Sequence, residues 1–423
     1  MKKLLKKLSP KFLISWYHWC LAFLGAVIYG WPSGKLKVIG VTGTKGKSTV
    51  VYLAGKIFEE AGYNVGWISS LSIKTGEKEV MNPYHMTMPG RFFIQKSLRQ
   101  MVQAGCEYAL VEVTSEGIKQ HRHRFIDFAG AVFNNLAPEH IEAHGSYEKY
   151  RVAKGELFAA TAKNKNSFGV YNLDEEDVNY FLEYPISKKY GVKSGENGKS
   201  ADINLIIEGM NLTAKGSLFR LSGLDFKTSL LGGFNVYNCA MAIAIAASQG
   251  ISMETAGQAL AKIESIAGRL EIIDEGQDFT VVVDLAHTPG SFEKVFRLFY
   301  ELPHNRIISV FGSAGGGRDK WKRPELGRIA SHYSDQVIIT NEDPYDEDPL
   351  KIADDILAGC DQNKTDIILD RREAIAGALK MAKTGDILLI LGKGTEQTMV
   401  MGNEHLAWDD RLVAREELKR FLH

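Results

Sequence analysis

The segment from Val38 to Thr49 joins an apolar run, a glycine-rich turn and the start of a helical pattern. Backbone N–H groups in such a turn can hold phosphate oxygens, and the helix N-terminus adds a positive dipole. Lys47 can reach the outer phosphates of a nucleotide, and the Ser48 hydroxyl can ligate Mg²⁺. Gly40 lies one residue too far upstream for the usual spacing, but the flanking strand and helix supply the required context. The sequence therefore predicts a nucleoside triphosphate site in this loop.

Further polar positions carry residue types that suit a metal-dependent phosphate site. Glu112 ends an apolar run, where a carboxylate beside the phosphate loop can hold Mg²⁺. Residues 139–144 contain His140, a second histidine and two carboxylates. Such a cluster can bind a metal ion, and it can equally be a polar loop that caps the following helix. Lys154 on that helix would be an ordinary surface lysine without these neighbours.

Apolar runs alternate with helical patterns around these residues. The predicted strands are 64–71, 108–114, 128–134 and 167–172, and the predicted helices are 91–104 and 146–162. This alternation predicts an α/β fold with a mostly parallel sheet covered on both faces. Short antiparallel strands are predicted within 201–230, followed by a helix over 235–249.

A second series of strands begins after residue 266, at 279–284, 306–311, 336–340, 365–369 and 386–391. These strands also alternate with helical patterns, which predicts a smaller, Rossmann-like α/β domain with ligand-binding loops at the carboxyl ends of its strands. We therefore predict three parts. They are an apolar and basic helical segment (1–36), a P-loop ATP-binding central domain (37–266) and the Rossmann-like C-terminal domain (267–423).

The composition excludes several classes of protein. The 423 residues have a formal net charge of zero, which argues against a broad nucleic-acid surface. The four cysteines lie far apart in the sequence, so a zinc ribbon or a disulfide scaffold is not expected. A reducing cytoplasmic location fits this composition.

The first 36 residues depart from this average. Five lysines stand among the first eleven residues, and no acidic residue precedes Glu59. The run from Phe12 to Trp31 carries no formal charge and is long enough to cross a bilayer, but a crossing would separate the phosphate loop from cytoplasmic ATP. Two interpretations remain: a helical pair packed on the central domain, which we favour, or an interfacial helix that brings residues 1–31 into peripheral membrane contact.

The ordered combination of these segments resembles the Mur ligase family, and within it the branch that adds the third residue of the stem peptide. The matching segments are 43–49, 112–115, 135–145, 154, 233–238, 268–271 and 284–289. The resemblance implies an ATP-dependent, ADP-forming acid–amino-acid ligase of peptidoglycan precursor biosynthesis. In that chemistry ATP converts a muramoyl-peptide carboxylate into an acyl phosphate, which the amine of an amino acid attacks.

The resemblance also implies residue roles. The ATP-binding residues would be Gly43, Thr44, Lys45, Gly46, Lys47, Ser48, Thr49, Asn235, Asn238, Arg269, Asp284 and His287. Two Mg²⁺ sites would use Ser48, Glu112, His140 and Lys154, with Lys154 carrying a CO₂-derived carbamate, and Lys47, Lys154, His140 and Glu112 would be catalytic. The acceptor would bind to Thr87, Thr114, Ser115, Gln120 and Arg122, and the amino acid to Arg318, Glu342, Asp343, Gly392 and Glu396. Arg269, Asp284 and His287 would reach the nucleotide on domain closure.

Several features separate this chain from the usual family pattern. About 36 residues precede the loop, too few for the family's UDP-binding domain, so the acceptor could lack UDP or be linked to a lipid. The family's Asp-Asn-Pro-Arg is replaced by Glu342-Asp343-Pro344-Tyr345, and this loss of arginine with a gain of acid favours lysine or ornithine as the added amino acid. Arg122 could equally belong to a basic surface helix over 121–124.

Three other functions stay open at the level of sequence. A poly-γ-glutamate synthase-like ligase pairs an apolar N-terminus with a related loop, but the second-domain segments 284–289 and 392–396 argue against it. A Mur-like subunit acting on a lipid-linked substrate usually carries a four-cysteine ribbon, which this chain lacks. A nucleotide-binding scaffold without catalysis would not need Lys47, Glu112, His140 and Lys154 together.

Overall fold

The structure is a computed structural model that describes residues 11–84, 86–138, 144–317 and 319–422. The chain separates into two compact units, Met1–Glu264 and Ser265–His423. Each unit is an α/β assembly with its own sheet and its own hydrophobic core.

The described strands of the first unit form one sheet in the order β11-β10-β9-β8-β7-β6-β1-β5-β2-β3-β4. Its strands are β1 (Lys37–Thr42), β2 (Val65–Ile68), β3 (Ser72–Thr75), β4 (Lys78–Met81), β5 (Tyr108–Glu112), β6 (Phe128–Phe133), β7 (Phe168–Asn172), β8 (Lys188–Ser194), β9 (Ile203–Thr213), β10 (Gly216–Leu221) and β11 (Leu224–Thr228). The seven central strands, in the sheet order β9-β8-β7-β6-β1-β5-β2, are all paired in parallel. Antiparallel pairs add β3 and β4 at one edge of the sheet and β10 and β11 at the other. The predicted mostly parallel sheet is therefore confirmed.

Helices connect these strands. The described helices of the first unit are α1 (Lys11–Ile28), α2 (Lys47–Glu60), α3 (Arg91–Gln103), α4 (Ser115–Lys119), α5 (Tyr147–Thr161), α6 (Val178–Leu182), α7 (Gly233–Ser248) and α8 (Met253–Ala261). Ser146 begins α5 with a side-chain cap, because its hydroxyl accepts a hydrogen bond from the Lys149 amide. The predicted helices over 91–104, 146–162 and 235–249 are confirmed with ends shifted by one or two residues.

The register of the central strands decides which loops meet. Val41 of β1 is level with Glu112 of β5, and Thr42 is level with Phe133 of β6. All three strands are parallel, so their carboxyl ends lie at one edge of the sheet. That edge therefore brings together the phosphate loop, Glu112 and the segment that follows β6.

The second unit contains a six-stranded sheet in the order β12-β13-β17-β14-β15-β16, in which only the β12–β13 pair is antiparallel among the described strands. Its strands are β12 (Glu271–Ile273), β13 (Thr280–Asp284), β14 (Ile307–Phe311), β15 (Gln336–Ile339), β16 (Thr365–Ile367) and β17 (Ile387–Leu391), with a separate hairpin of β18 (Thr398–Met401) and β19 (Glu404–Ala407). Its described helices are α9 (Pro289–Tyr300), α10 (Lys322–Tyr333), α11 (Pro349–Leu357), α12 (Arg371–Met381) and α13 (Asp410–Leu422). The predicted Rossmann-like architecture is confirmed.

The apolar segment near the start of the chain forms helix α1, which packs on α3. Ala22 and Ala26 are buried in this contact, and a Cβ at Gly25 would lie 3.6 Å from the carbonyl oxygen of Arg91. Small side chains thus let the two helices approach closely. Among the residues that the structure describes, no helix is both long enough and apolar enough to cross a membrane.

Candidate active site

The phosphate loop connects β1 to α2 and has the backbone geometry that a phosphate cradle needs. Gly46 adopts φ +76° at the first turn of α2, and a Cβ there would lie 2.5 Å from Nδ2 of Asn134. Only glycine fits this position without displacing its neighbour. The first amides of α2 have no acceptor within the helix, so they are available to an anion at the helix N-terminus.

The side chain of Asn135 fixes the shape of this loop. Its Oδ1 accepts hydrogen bonds from the amides of Thr44 at 3.0 Å and Lys45 at 2.8 Å, while its Nδ2 donates to the Lys45 carbonyl at 2.9 Å. The Thr44 hydroxyl lies 3.1 Å from the Tyr150 hydroxyl. The amides of Thr44 and Lys45 therefore point toward Asn135 and hold the first half of the loop in place.

Glu112 lies directly beside the start of α2 and is 3% exposed. Its Oε2 accepts hydrogen bonds from the Ser48 hydroxyl at 2.8 Å and from the Ser70 amide at 2.8 Å. The Ser70 hydroxyl is 3.1 Å from the same oxygen and 2.6 Å from the Ser48 hydroxyl. Lys47 Nζ is 3.9 Å from Oε1 of Glu112 and 3.0 Å from the Thr44 carbonyl oxygen. A buried carboxylate among hydroxyl oxygens is the donor set that a hard cation such as Mg²⁺ prefers.

Lys154 reaches the phosphate loop from the opposite side. Its side chain is almost fully buried, its Nζ donates a 2.7 Å hydrogen bond to the Gly43 carbonyl, and it lies 4.5 Å from the centre of the Tyr150 ring. The structure thus rejects the surface-lysine interpretation. Burial of an ammonium is costly without specific partners, so this position is built for contact with the loop.

The predicted metal ligand His140 lies outside the described residues, as does Glu139. The next described histidine, His144, is 3.1 Å from the Ser115 hydroxyl through its Nε2 and packs against Tyr150 with ring centres 5.3 Å apart. His144 therefore lies beside the start of α4 and beside Tyr150 of α5.

Asn235 and Asn238 lie on one face of α7 and are both buried. Asn238 Oδ1 accepts a 3.1 Å hydrogen bond from Asn134 Nδ2, and Asn238 Nδ2 donates to Asn235 Oδ1 at 3.0 Å. Asn134 Nδ2 also donates to the Lys45 carbonyl at 2.9 Å. These side-chain amides therefore connect α7 to the phosphate loop. The resemblance additionally implies that Asn235 and Asn238 contact adenine.

The acceptor residues cluster after β5. The Thr114 hydroxyl caps α4 by accepting a hydrogen bond from the Gly117 amide at 3.1 Å. Residues 121–124 are not helical, and Arg122 is only 9% exposed, so the basic surface helix is ruled out. The Arg122 guanidinium donates to the Gln120 side chain at 2.8 Å and to the Met88 carbonyl. Arg122 therefore fixes the loop that carries half-buried Thr87.

Arg122 is buried beside half-buried Arg91, and the charge of Glu116 acts on Arg122. Burial lowers the pKa of Arg122, and burial together with the nearby charge of Arg122 lowers the pKa of Arg91 to about 10. Arg91 Nε donates a 2.9 Å hydrogen bond to the Gln120 carbonyl. Two guanidinium groups held this close favour a nearby anion.

The second unit contains three predicted ATP-binding residues. Arg269 precedes β12, Asp284 ends β13 and His287 follows β13. Asp284 Oδ2 accepts a hydrogen bond from the Leu270 amide at 2.8 Å, which holds the loop that carries Arg269. His287 Nδ1 is 2.8 Å from the Leu285 carbonyl oxygen. Within the described residues, Nε of Arg269 is buried without a hydrogen-bond partner. Asp284 thus positions its neighbours through the backbone.

Four of the five predicted amino-acid residues, Glu342, Asp343, Gly392 and Glu396, meet near the carboxyl ends of β15 and β17. A Cβ at Gly392 (φ +112°) would lie 2.8 Å from Oε2 of Glu342, so the glycine permits this close approach. Asp343 Oδ1 accepts hydrogen bonds from Lys393 Nζ at 2.9 Å and from the Val400 amide at 2.8 Å. Lys393 Nζ also bonds to Glu396 at 2.8 Å.

Glu342 differs from neighbouring Asp343 in hydrogen bonding, although the charges of Lys322 and Lys393 act on it. It is buried, and burial raises the pKa of its carboxyl. Among the described residues its Oε2 has no hydrogen-bond partner, whereas Asp343 is already paired with Lys393. Arg318, the remaining predicted residue of this pocket, lies outside the described residues.

Sequence reasoning missed Ser70, Asn134, Tyr150 and Lys393. Ser70 could have been found, because it lies at the end of the predicted strand 64–71, at the carboxyl edge where ligands bind. Lys393 sits between two glycines at the end of β17, which also suggested a special position. Asn134 and Tyr150 gave no comparable signal, since their partners are distant in sequence.

Comparison with known proteins gives a consistent result over both units. The family profile for the Mur ligase middle domain matches residues 41–246, and the profile for the Mur ligase, glutamate ligase domain matches residues 268–394. The chain is 37% identical to a UDP-N-acetylmuramoyl-L-alanyl-D-glutamate–2,6-diaminopimelate ligase of Geobacillus kaustophilus, over 97% of this chain and 84% of that protein. It is 36% identical to a UDP-N-acetylmuramyl-tripeptide synthetase of a Roseiflexus species, over 94% of this chain and 81% of that protein.

Solved structures agree in fold. A UDP-N-acetylmuramoyl-L-alanyl-D-glutamate–2,6-diaminopimelate ligase structure matches with a TM-score of 0.64 and 28% identity, covering 92% of this chain and 79% of that one. The folylpolyglutamate synthase of Mycobacterium tuberculosis matches with a TM-score of 0.72 and 16% identity, covering 89% and 92%. The second match shows a shared fold alone.

Proposed function

This chain belongs to the Mur ligase family and is an ATP-dependent, ADP-forming ligase of peptidoglycan precursor biosynthesis, and we propose that it joins an amino acid to a muramoyl-peptide-like carboxylate through an acyl phosphate. One observation carries the residue-level proposal. The phosphate loop, Glu112 and Lys154 converge on a single buried region although they are far apart in sequence. This convergence supports the proposal, because two anionic substrates bound there would lie beside groups that neutralise their charge.

We assign roles within this region as follows. Gly46, Lys47 and Ser48 would hold the phosphates of ATP, with Lys47 neutralising charge on the outer ones. Ser48 and Glu112 would hold one Mg²⁺, because their oxygens are adjacent and buried. The bound ion would neutralise the charge that develops during phosphoryl transfer.

Lys154 would bind CO₂ as a carbamate and, with His140, serve a second Mg²⁺. Support comes from its burial and from its 2.7 Å contact with the loop carbonyl of Gly43. A carbamate converts the cation into an oxygen ligand, which matches the preference of a hard metal. In ¹³C-bicarbonate, we expect the unmodified protein to show a ¹³C NMR signal from the carbamate. That signal should be absent in Lys154→Ala, with both proteins folded.

We propose an amino acid with a cationic side chain, lysine or ornithine. The buried Oε2 of Glu342, which has no hydrogen-bond partner among the described residues, supports this choice, because a substrate ammonium would donate to it and add to the nearby charges of Lys322 and Lys393. Asp343 contributes less, since Lys393 already neutralises it. Tyr345 stands where the family pattern has an arginine that pairs a second substrate carboxylate, so diaminopimelate would lose that partner.

We place the acceptor beside Thr114, Ser115, Gln120 and Arg122, next to the loop of Thr87. The buried guanidinium of Arg122 and the half-buried guanidinium of Arg91 suit a carboxylate or a phosphate. We propose a cytoplasmic location, where ATP is available, with peripheral membrane contact through residues 1–31. Arg269, Asp284 and His287 remain predicted contacts of ATP.

A phosphate-release screen tests the proposal. UDP-muramoyl-dipeptide and lipid-linked muramoyl-dipeptide are each combined with lysine, ornithine or diaminopimelate, and the product is identified by its mass. We expect ATP turnover only with acceptor and amino acid together, its loss in Lys47→Ala, and normal turnover in Lys78→Ala, a change at an exposed lysine of β4. ATP hydrolysis that ignores both substrates would contradict the ligase proposal, and fastest turnover with diaminopimelate would contradict the proposed amino acid.

A further inference from the structure

Helix α1 exposes a broad apolar surface on the side that does not pack on α3. We define the α1 face by the exposed side chains of the helix and of Trp31, which follows its end: Trp16, Tyr17, Leu24, Val27, Ile28 and Trp31. Trp16 and Ile28 are 65% and 64% exposed, so these are not residues that the fold covers. Clustered apolar side chains of this kind mark an interaction surface, whereas single exposed ones do not.

The orientation of the α1 face is fixed by polar contacts on the opposite side of the helix. The Ser15 hydroxyl lies 2.7 Å from Nε2 of His121, and the Arg91 guanidinium contacts Nδ1 of His18. Ala22 and Ala26 are buried against α3. The helix therefore cannot turn its apolar side inward without breaking these contacts.

A cluster of aromatic rings braces one edge of the face. Phe125 packs edge-on against Trp19, Phe23 and Trp31, with ring centres 5.2 Å, 5.5 Å and 5.8 Å apart. Phe125 has φ +61° and Trp31 has φ +52°, a left-handed conformation that is unfavourable for a bulky residue. Strain kept in order to present rings at a surface points to a function for that surface.

The charge pattern identifies the partner. Five lysines stand among the first eleven residues, and no acidic residue occurs before Glu59. Tryptophan and tyrosine prefer the boundary between lipid headgroups and acyl chains, and nearby lysines gain energy from anionic headgroups. A second copy of this chain would bring its own lysines against these, which like-charge repulsion opposes.

From these observations we propose that the α1 face docks this protein onto an anionic lipid bilayer, with α1 lying in the plane of the interface. The helix would insert its aromatic and aliphatic side chains among the upper acyl chains while the lysines meet lipid phosphates. The opposite side of α1 reaches the acceptor region, because Arg91 contacts both His18 and the Gln120 carbonyl. A docked protein would thus hold its acceptor site close to the membrane surface, a consequence that rests on the proposed function.

Vesicle flotation with the full-length chain tests the docking independently of ligase activity. We expect binding to phosphatidylcholine vesicles that contain about 30% phosphatidylglycerol, with weak binding to pure phosphatidylcholine. Raising the salt from about 0.05 M to about 0.5 M should weaken binding, because screening acts on the lysines. Tryptophan fluorescence should shift to shorter wavelength on binding, since Trp16, Trp19 and Trp31 would leave water.

Paired variants distinguish binding through the α1 face from nonspecific binding through other exposed apolar side chains. Trp16→Ser with Ile28→Ser should raise the lipid concentration for half-maximal binding roughly tenfold or more. The control, Tyr300→Ser with Leu412→Ser, removes side chains that are 54% and 59% exposed in the second unit and should bind like the unmodified chain. Circular dichroism and ATP binding should be the same in all three proteins.

Several outcomes would overturn the proposal. These are absent binding to anionic vesicles, equal binding by the α1-face variant, or equal loss in the control variant. Concentration-dependent association in sedimentation, abolished by the α1-face variant, together with no vesicle binding would assign the face to self-association instead. Because binding is measured without substrates, an inactive but vesicle-binding protein would contradict only the proposed ligase chemistry.

Discussion

Replacing Ser70 tests whether a residue that touches Glu112 organises the proposed Mg²⁺ site. Ser70 donates its amide to Oε2 of Glu112 at 2.8 Å, and its hydroxyl lies 3.1 Å from that oxygen and 2.6 Å from the Ser48 hydroxyl. Ser70→Ala keeps the hydrogen bond from the backbone amide to Glu112 and removes the hydroxyl. A hydrogen bond to a charged group contributes about 1.5–3 kcal/mol, and loss of a partner of a metal ligand weakens metal binding about 10–100-fold.

We therefore expect Ser70→Ala to raise the Mg²⁺ concentration for half-maximal ATP turnover by about 10–100-fold. The assay is a Mg²⁺ titration of phosphate release at saturating acceptor and amino acid. Ser70→Thr keeps a hydroxyl and should recover most of the activity. Ser69→Ala is the matched control: the Ser69 hydroxyl bonds to the Ser72 carbonyl at 3.0 Å and not to Glu112, so it should reduce thermal stability without changing the Mg²⁺ dependence.

A Ser70→Ala enzyme that is folded and has a Mg²⁺ dependence within about twofold of the unmodified chain would refute this reasoning, since the hydroxyl would then be dispensable to the ligands. An equal shift in Ser69→Ala would show that the turn as a whole matters and not the hydroxyl at Glu112.

Further predictions concern Lys154, His123 and Glu342. Lys154→Ala should lower kcat/KM by about 100-fold or more without changing the helix content. Lys149→Ala, on the exposed side of the same helix, should leave kcat/KM unchanged. Equal kcat/KM in the two variants would show that Lys154 is not part of the site. Burial lowers the pKa of His123 to about 3, so this imidazole takes up a proton more readily in the unfolded chain than in the folded one. The free energy of unfolding should therefore fall by roughly 1.4 kcal/mol per pH unit as the pH drops below about 6.5. His123→Asn should lose that part of the pH dependence in thermal unfolding, and parallel curves would contradict it. Glu342→Gln should raise KM for a cationic amino acid about tenfold or more while leaving KM for ATP unchanged, and a change in both would indicate general damage.

The sequence was sufficient for local features because they depend on neighbouring residues. The turn after β1, the caps and the alternation of strands and helices follow from glycine positions, side-chain hydrogen bonding and periodicity. The roles implied for Lys47, Ser48 and Glu112 came from residue order, and their closeness needed only the rule that parallel strands share a carboxyl edge.

Tertiary structure alone decided which side chains compensate one another. Arg122 is a buried anchor of the Thr87 loop and not part of a surface helix, because its guanidinium finds the Met88 carbonyl across the fold. Asp343 is neutralised by Lys393, fifty positions along the chain, whereas neighbouring Glu342 keeps an unpaired oxygen among the described residues. Adjacent carboxylates look alike in a sequence, but distant strands set their burial and hydrogen bonding, so their different hydrogen-bond partners appear only once the chain is folded.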